Sequence, residues 1–125
     1  MKTLKDFVDT ALGSVREISP ETTVSLLGHG DYVLLDVREP DEFALGHLPG
    51  AINVPRGFLE VKADLTHPKR AEFLEDRNQK IICYCGGGHR SALAADTLRQ
   101  MGFEDPLTMA EGWTGWTARG LPTEL

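Results

Sequence analysis

The chain has 125 residues, enough for one domain with a sizeable core, and its 41% hydrophobic and 26% charged residues are the proportions of an ordinary soluble globular protein. Its formal net charge of −6 argues against nucleic acid or an anionic membrane as a partner. Two cysteines are too few for a disulfide scaffold, and no run approaches the ~20 apolar residues of a membrane helix.

The first predicted element is an amphipathic helix, because apolar residues recur at helical spacing from Leu4 to Val15. Asp6 and Asp9 interrupt this segment before an apolar stretch can build, so we expect no signal peptide. A cytoplasmic location follows, and its reducing conditions would keep a reactive thiol reduced.

Three more elements are predicted before residue 56. Ser19-Pro20-Glu21 has the pattern of a helix start, and that helix is expected to end after Leu27 at a glycine-containing turn. The apolar run from Tyr32 to Leu35 predicts a strand buried on both faces, as in a parallel sheet. Residues 51–54 form a second short strand bounded by prolines, and residues 56–68 show no clear pattern.

Helices and strands continue to alternate in the second half of the chain. We predict a helix over 69–76, a strand over 80–84, a long helix over 89–101, a strand over 106–109 and a short helix over 113–118. This alternation predicts an α/β domain with a mainly parallel sheet. Ligands of such sheets gather beyond the carboxyl ends of the strands, where both Asp36-Val37-Arg38 and Cys85 fall.

The segment after the 80–84 strand carries the strongest chemical signal. Cys85 is followed by Gly86, Gly87 and Gly88, then by His89, Arg90 and Ser91, which open the predicted helix. Small residues let backbone N–H groups curl around an anion, and a helix start adds unpaired N–H groups. A free cysteine, with a pKa of about 8.5, is only ~3% thiolate at neutral pH. We expect this loop and the charge of Arg90 to increase the thiolate fraction and make Cys85 nucleophilic.

Three segments together resemble the signatures of single-domain rhodanese-like proteins. They are Asp36-Val37-Arg38-Glu39 with residues 46–55, then Cys85-x-x-Gly88-x-Arg90-Ser91, and finally Gly112-Trp113-x-x-Trp116. Their order and separation match that family over roughly residues 17–122. The resemblance implies a three-layer rhodanese-like domain over residues 17–125, with a mainly parallel five-stranded sheet flanked by helices on both faces. It leaves residues 1–16 as an amphipathic helical extension.

The resemblance also implies a sulfurtransferase that works through a persulfide. Cys85 would take a sulfane sulfur from thiosulfate or a thiol persulfide, hold it as Cys–S–SH, and pass it to cyanide or a thiol. Substrate would bind against residues 86–91, and no metal or organic cofactor is required. The alternative function is a sulfur carrier or regulatory binding module that acts only with a partner protein.

Two features of the loop bear on its substrate. Cysteine phosphatases and arsenate reductases have a similar loop with one residue more between Cys and Arg. Here four residues separate Cys85 from Arg90, which suits one sulfur atom better than a tetrahedral phosphate. Rhodanese-like proteins that favour thiosulfate often carry Arg or Lys inside the loop, where this chain has only glycines, so a persulfide donor is at least as well suited. His89 either faces the substrate or points to solvent.

Other polar residues near the site have structural interpretations. Asp36 and Arg38 are expected to support the site through an ion pair or backbone hydrogen bonds that join neighbouring loops. Cys83 is expected to be a buried core thiol, and a redox role beside Cys85 is the alternative. His47 is expected to form a local hydrogen bond rather than to act as a base.

Overall fold

The computed structural model describes residues 1–125 and contains one five-stranded sheet. In chain order the strands are β1 (Arg16–Ile18), β2 (Tyr32–Asp36), β3 (Ile52–Asn53), β4 (Lys80–Tyr84) and β5 (Leu107–Met109). Their spatial order is β1-β5-β4-β2-β3, and every neighbouring pair is parallel. The α/β class and the parallel five-stranded sheet are therefore confirmed.

Six α-helices surround this sheet. They are α1 (Leu4–Leu12), α2 (Pro20–Leu27), α3 (Pro40–Ala44), α4 (Leu59–Ala63), α5 (His89–Gln100) and α6 (Gly112–Ala118). Two single turns of 3₁₀ helix, Arg56–Phe58 and Glu72–Leu74, complete the regular structure. None of the helices has the length and apolarity needed to cross a membrane.

The two faces of the sheet bury two separate apolar clusters, because successive side chains of a strand point to opposite faces. Leu35, Ile81 and Cys83 pack with side chains of α4 and α5. Leu34 and Ile82 lie on the opposite face, in a cluster that includes Trp116 of α6 and is flanked by two leucines of α2. The molecule therefore has three layers, with the sheet between two layers of helices.

The N-terminal helix forms an additional layer outside α5. Thr3 caps it, since the backbone N–H of Asp6 donates to the Thr3 hydroxyl and the Asp6 carboxylate accepts from the Thr3 backbone. Val8 and Ala11 are buried against Ala92 of α5. The boundary of this extension at residue 16 stays a prediction, and the residue itself already begins β1, paired with Leu107.

One predicted element was wrong and several were missed. The helix expected over 69–76 is only the 3₁₀ turn Glu72–Leu74. Ala71 is extended there, and its N–H donates to the carbonyl of Lys62 instead of entering a helix. This tertiary hydrogen bond overrides the local helical pattern. Strand β1 and the short helices α3 and α4 were not predicted.

Candidate active site

The site lies at the carboxyl ends of β2 and β4, which are neighbours in the sheet. Asp36, the last residue of β2, pairs in register with Tyr84, the last residue of β4. Cys85 follows directly, so the two segments singled out in the sequence lie side by side. This edge is where a parallel sheet places its ligands.

The sulfur of Cys85 has three hydrogen-bond partners. The backbone N–H groups of Gly88 and Ser91 donate to it over 3.1 and 3.4 Å, and the thiol donates to the hydroxyl oxygen of Ser91 over 3.4 Å. Only 1% of Cys85 is exposed. A thiolate or a persulfide anion at this position would thus be stabilised by backbone donors at the start of a helix.

The backbone conformation of Gly88 makes this arrangement possible. Its φ of 109° lies in the left-handed region, which residues with a side chain rarely adopt, and it stands immediately before α5. Because α5 begins at His89, the N–H groups of its first turn have no partner within the helix. One of them, the N–H of Ser91, donates to the sulfur of Cys85.

The start of α6 supports the loop from the other side. The N–H of Trp113 donates to the carbonyl of Cys85 over 2.7 Å, and the N–H of Thr114 donates to the carbonyl of Gly86 over 3.1 Å. Gly112 has a φ of 54°, and a Cβ atom there would overlap the carbonyl of Cys85 and approach that of Gly86 to 2.8 Å. Helix α6 therefore holds the loop carbonyls away from the sulfur.

A second hydroxyl stands behind Ser91. Thr108 of β5 is completely buried, and its hydroxyl donates to the Ser91 hydroxyl over 2.8 Å. The Ser91 hydroxyl in turn donates to the carbonyl of Gly88 over 3.3 Å, and its oxygen accepts from the Cys85 thiol. Thr108 is paired with Cys83 across the sheet, which sets its position relative to the loop.

Arg90 does not stand free beside the loop. Its guanidinium donates to both carboxylate oxygens of Glu42 in α3, over 2.7 and 3.2 Å. The hydrogen bond from Arg90 holds the pKa of Glu42 down at about 2, and the same bond raises the pKa of Arg90. A Cβ atom on Gly86 would lie 3.1 Å from Nη2 of Arg90, so this ion pair lies against the loop.

Asp36 and Arg38 form a buried ion pair beneath the site. Both side chains are at most 3% exposed, and two guanidinium nitrogens of Arg38 donate to the Asp36 carboxylate over 2.7 to 3.1 Å. Tyr84 donates its hydroxyl to the same carboxylate over 2.6 Å, and Arg38 also donates to the carbonyl of Gly46. Burial raises the pKa of Tyr84, which keeps it a donor. This network joins the ends of β2 and β4 to the segment at Gly46.

The remaining candidate residues take different positions. His89 is exposed, at the first residue of α5. Cys83 is a free thiol with no exposed surface, and burial raises its pKa, which makes it chemically inert in this state. Nδ1 of His47 lies 3.1 Å from the carbonyl of Phe43, a local hydrogen bond of the kind predicted.

Sequence reasoning missed three side chains of the site. Glu42 had a signal, because Pro40 followed by two acids is typical of a helix start and predicts α3. Thr108 is a polar residue within a buried strand, which indicates a hydrogen-bonding role. Tyr84 was taken as part of an apolar run, and nothing in the sequence pairs its hydroxyl with Asp36.

The site is a buried cysteine in a loop lined by backbone N–H groups, at the carboxyl edge of a parallel α/β sheet. In the comparison with known families, the model of the rhodanese-like domain matches residues 19–119. The chain belongs to the rhodanese-like domain family, whose members include named sulfurtransferases.

Three relatives illustrate this membership. "Putative sulfur carrier protein YrkF" of Bacillus subtilis is 33% identical over 107 residues, which cover 85% of this chain but 53% of that protein. The chain therefore spans about half the length of that relative. The thiosulfate sulfurtransferase GlpE of Pseudoalteromonas translucida is 33% identical over 105 residues, covering 82% of this chain and 90% of GlpE.

The third relative is a solved structure from Rhodopseudomonas palustris, a protein of unknown function described as a possible tyrosine phosphatase. It is 31% identical, superimposes with a TM-score of 0.93, and covers 99% of this chain and 96% of its own. The match extends over the N-terminal helix as well as the family domain.

Proposed function

We propose that this protein is a sulfurtransferase that carries a sulfane sulfur as a persulfide on Cys85. The observation that supports it most is the pair of backbone donors at the sulfur, the N–H groups of Gly88 and Ser91 at 3.1 and 3.4 Å. Such donors stabilise negative charge on sulfur both before and after a sulfur atom is added. Membership of the rhodanese-like family supports the same chemistry.

Each half of the reaction is a displacement at sulfur. The Cys85 thiolate attacks the outer sulfur of the donor, the donor's S–S bond breaks, and its electron pair leaves on sulfite or a thiolate. An acceptor, cyanide or a second thiolate, then attacks the outer sulfur of the Cys85 persulfide. Thiocyanate or a new persulfide departs, and the Cys85 thiolate is regenerated.

Neighbouring groups have distinct roles in this scheme. The backbone N–H groups of Gly88 and Ser91 hold the reacting sulfur, and the Ser91 hydroxyl lies beside it. Arg90, paired with Glu42, lies at the rim of the loop. We place the protein in the cytoplasm, where a reducing environment would keep Cys85 available, with small sulfur donors and thiols or cyanide as its partners.

Phosphatase activity is the alternative reaction to test, because the similar structure from Rhodopseudomonas palustris is described as a possible tyrosine phosphatase. A phosphate monoester needs room for a tetrahedral group, whereas only four residues separate Cys85 from Arg90 and Cys85 is 1% exposed. Steady-state assays of thiocyanate formation and of phosphoaryl ester hydrolysis, on the same preparation, separate the two. We expect measurable thiocyanate from at least one sulfane donor and negligible phosphate release. Phosphate release without sulfur transfer would overturn the proposal.

The wild-type protein should be compared with Cys85→Ser and Cys83→Ala. Cys85→Ser removes the nucleophile with little change in shape, so transfer should stop. Cys83→Ala removes the other thiol, two residues away and fully buried, and transfer should continue. Loss of transfer in a folded Cys83→Ala protein would reveal a redox role for that thiol.

A sulfur-carrier function is the second candidate. It is favoured by the side-chain-free loop at Gly86, Gly87 and Gly88 and by the name of the Bacillus relative. A carrier would load one sulfur on Cys85 stoichiometrically but turn over slowly with small acceptors. Single-turnover loading measured beside steady-state turnover distinguishes carrier from enzyme.

A further inference from the structure

The charges around Cys85 cancel in pairs. Asp36 neutralises Arg38 below the site, and Glu42 neutralises Arg90 at the rim. Gly86, Gly87 and Gly88 bring no side chain, so no further cation comes from the loop. The site therefore offers a reacting anion its backbone donors but almost no net positive charge.

We infer that Glu42 is a specificity-determining residue that makes Cys85 select sulfur donors with low negative charge at the reacting end, such as thiol persulfides, over dianions such as thiosulfate. This inference rests on the proposed function, because it concerns the donor of that same reaction. The contact that carries it is the two-pronged hydrogen bond from Arg90 to Glu42, at 2.7 and 3.2 Å.

The position of the pair explains why a donor must meet it. The guanidinium of Arg90 lies against Gly86, the residue next to the nucleophile, and its Nη2 is 3.1 Å from where a Cβ of Gly86 would be. The carboxylate of Glu42 is within hydrogen-bonding distance of that guanidinium. A dianion that seeks Arg90 must either displace Glu42 or bind beside a second negative charge.

The low pKa of Glu42, about 2, keeps its carboxylate charged at neutral pH. Its carboxylate is also held by the backbone N–H of Glu39, which donates to Oε1 over 3.0 Å and fixes the side chain at the start of α3. Both partners of the pair are 37–38% exposed, so water and salt screen their field without removing it.

The size of the effect follows from Coulomb's law. One carboxylate and one extra substrate charge ~6 Å apart, in an environment of effective dielectric ~20 to ~40, change binding by about tenfold to a hundredfold. Because the pair is more than one third exposed, we expect the lower end of that range, about tenfold.

Two donors with the same reacting bond allow a matched test. In thiosulfate the Cys85 thiolate attacks the sulfane sulfur and sulfite leaves with the bonding electrons. In methanethiosulfonate the same attack releases methanesulfinate, and the total charge balances in both reactions. The two donors differ by one negative charge, so the ratio of their kcat/KM values for loading Cys85 reports how the site treats that charge.

The kcat/KM for thiosulfate divided by that for methanethiosulfonate should be measured for wild type and for Glu42→Gln, from intact mass against time. The Gln side chain still accepts from Glu39 but has no charge, so the ratio should rise about tenfold. Asp41→Asn removes one charge from the same exposed turn without touching Arg90, and its ratio should stay within about twofold of wild type. Glu42→Ala should reproduce the rise.

Each outcome decides a different point. If Glu42→Gln loads both donors with an unchanged ratio, or if Asp41→Asn raises the ratio equally, the inference about Glu42 is wrong and the proposed function is intact. If the wild-type protein loads sulfur from neither donor nor from glutathione persulfide, the proposed function fails and the inference fails with it.

Discussion

Two neighbouring segments at the carboxyl edge of the sheet are held in place by opposite means. After β2, the segment is fixed by its own side chains, through the buried pair of Asp36 and Arg38 and the hydrogen bond from Arg38 to Gly46. After β4, the segment of Cys85 and its three glycines contributes no such side chain. It is fixed by the backbone of α6, through Trp113 and Thr114.

The difference follows from what each segment has to do. Side-chain contacts can fix the segment after β2 because, in the proposed mechanism, this segment contacts no reacting atom. The loop after β4 must direct its N–H groups at a sulfur atom. Its carbonyls therefore accept hydrogen bonds from α6, and its glycines carry no side chains. The contacts of the segment after β2 and of α6 thus hold the glycine loop in place, although the loop has no side chains of its own to fix it.

The largest effect on stability is expected from breaking the ion pair after β2. Asp36→Asn leaves the Arg38 guanidinium buried without a counter-charge and should lower the free energy of unfolding by about 3–5 kcal/mol. Asp105→Asn is a matched control, since it breaks the exposed pair with Arg16 and should cost less than about 1 kcal/mol. Urea denaturation measures both, and equal small losses would contradict a structural role for Asp36.

The support of the loop by α6 can be broken at Gly112. Gly112→Ala adds a Cβ against the carbonyls of Cys85 and Gly86 at a positive φ. Gly120→Ala meets the same kind of backbone strain, about 1–2 kcal/mol, with nothing within 4 Å. We expect Gly112→Ala to lose a further 1–3 kcal/mol or so, as overpacking does, together with most sulfur transfer.

Equal losses of stability in Gly112→Ala and Gly120→Ala would show that the close approach to the loop has no cost. Retained transfer in Gly112→Ala would show that the loop does not depend on α6.

A smaller effect is expected from the hydroxyl behind Ser91. Thr108→Val keeps the volume but removes the donor to Ser91, so the Ser91 hydroxyl loses a hydrogen bond that holds it beside Cys85. We expect sulfur loading to slow about threefold to tenfold, the equivalent of one hydrogen bond of ~1 kcal/mol. Thr117→Val, whose hydroxyl contacts only its own helix, serves as the control. An unchanged loading rate in Thr108→Val would exclude this positioning role.

The smallest effect is the pH dependence of the pair between Glu42 and Arg90. The pKa of Glu42 falls from its ordinary 4.5 to about 2 on folding, so its contribution to stability is complete above pH 4.5. It shrinks as the pH falls below 4.5 and is gone below about 2. The stability difference between wild type and Glu42→Gln, expected to be under about 1 kcal/mol, should therefore decline between pH 5 and pH 2.5. A difference that is constant over this range would contradict the pairing.

The sequence predicted those parts of the molecule that local patterns determine. The apolar runs at residues 32–35 and 80–84 match β2 and β4 closely, and the loop with its following helix was placed within one residue of α5. Strand β1 was missed because its three residues are largely exposed and become a strand only by pairing with β5.

Contacts between distant residues account for what the sequence could not show at the site. Glu42 and Arg90 are 48 residues apart, as are Asp36 and Tyr84, and only the parallel pairing of β2 with β4 brings them together. The loop glycines predicted a backbone cradle, while the charge balance around it depends on these long-range pairs.

The most direct test of the central claim is the intact mass of the reduced protein before and after exposure to thiosulfate, methanethiosulfonate and glutathione persulfide. We predict a gain of one sulfur atom, ~32 Da, that cyanide removes, that Cys83→Ala retains and that Cys85→Ser lacks. No gain from any of the three donors, or an equal gain in Cys85→Ser, would contradict a persulfide on Cys85.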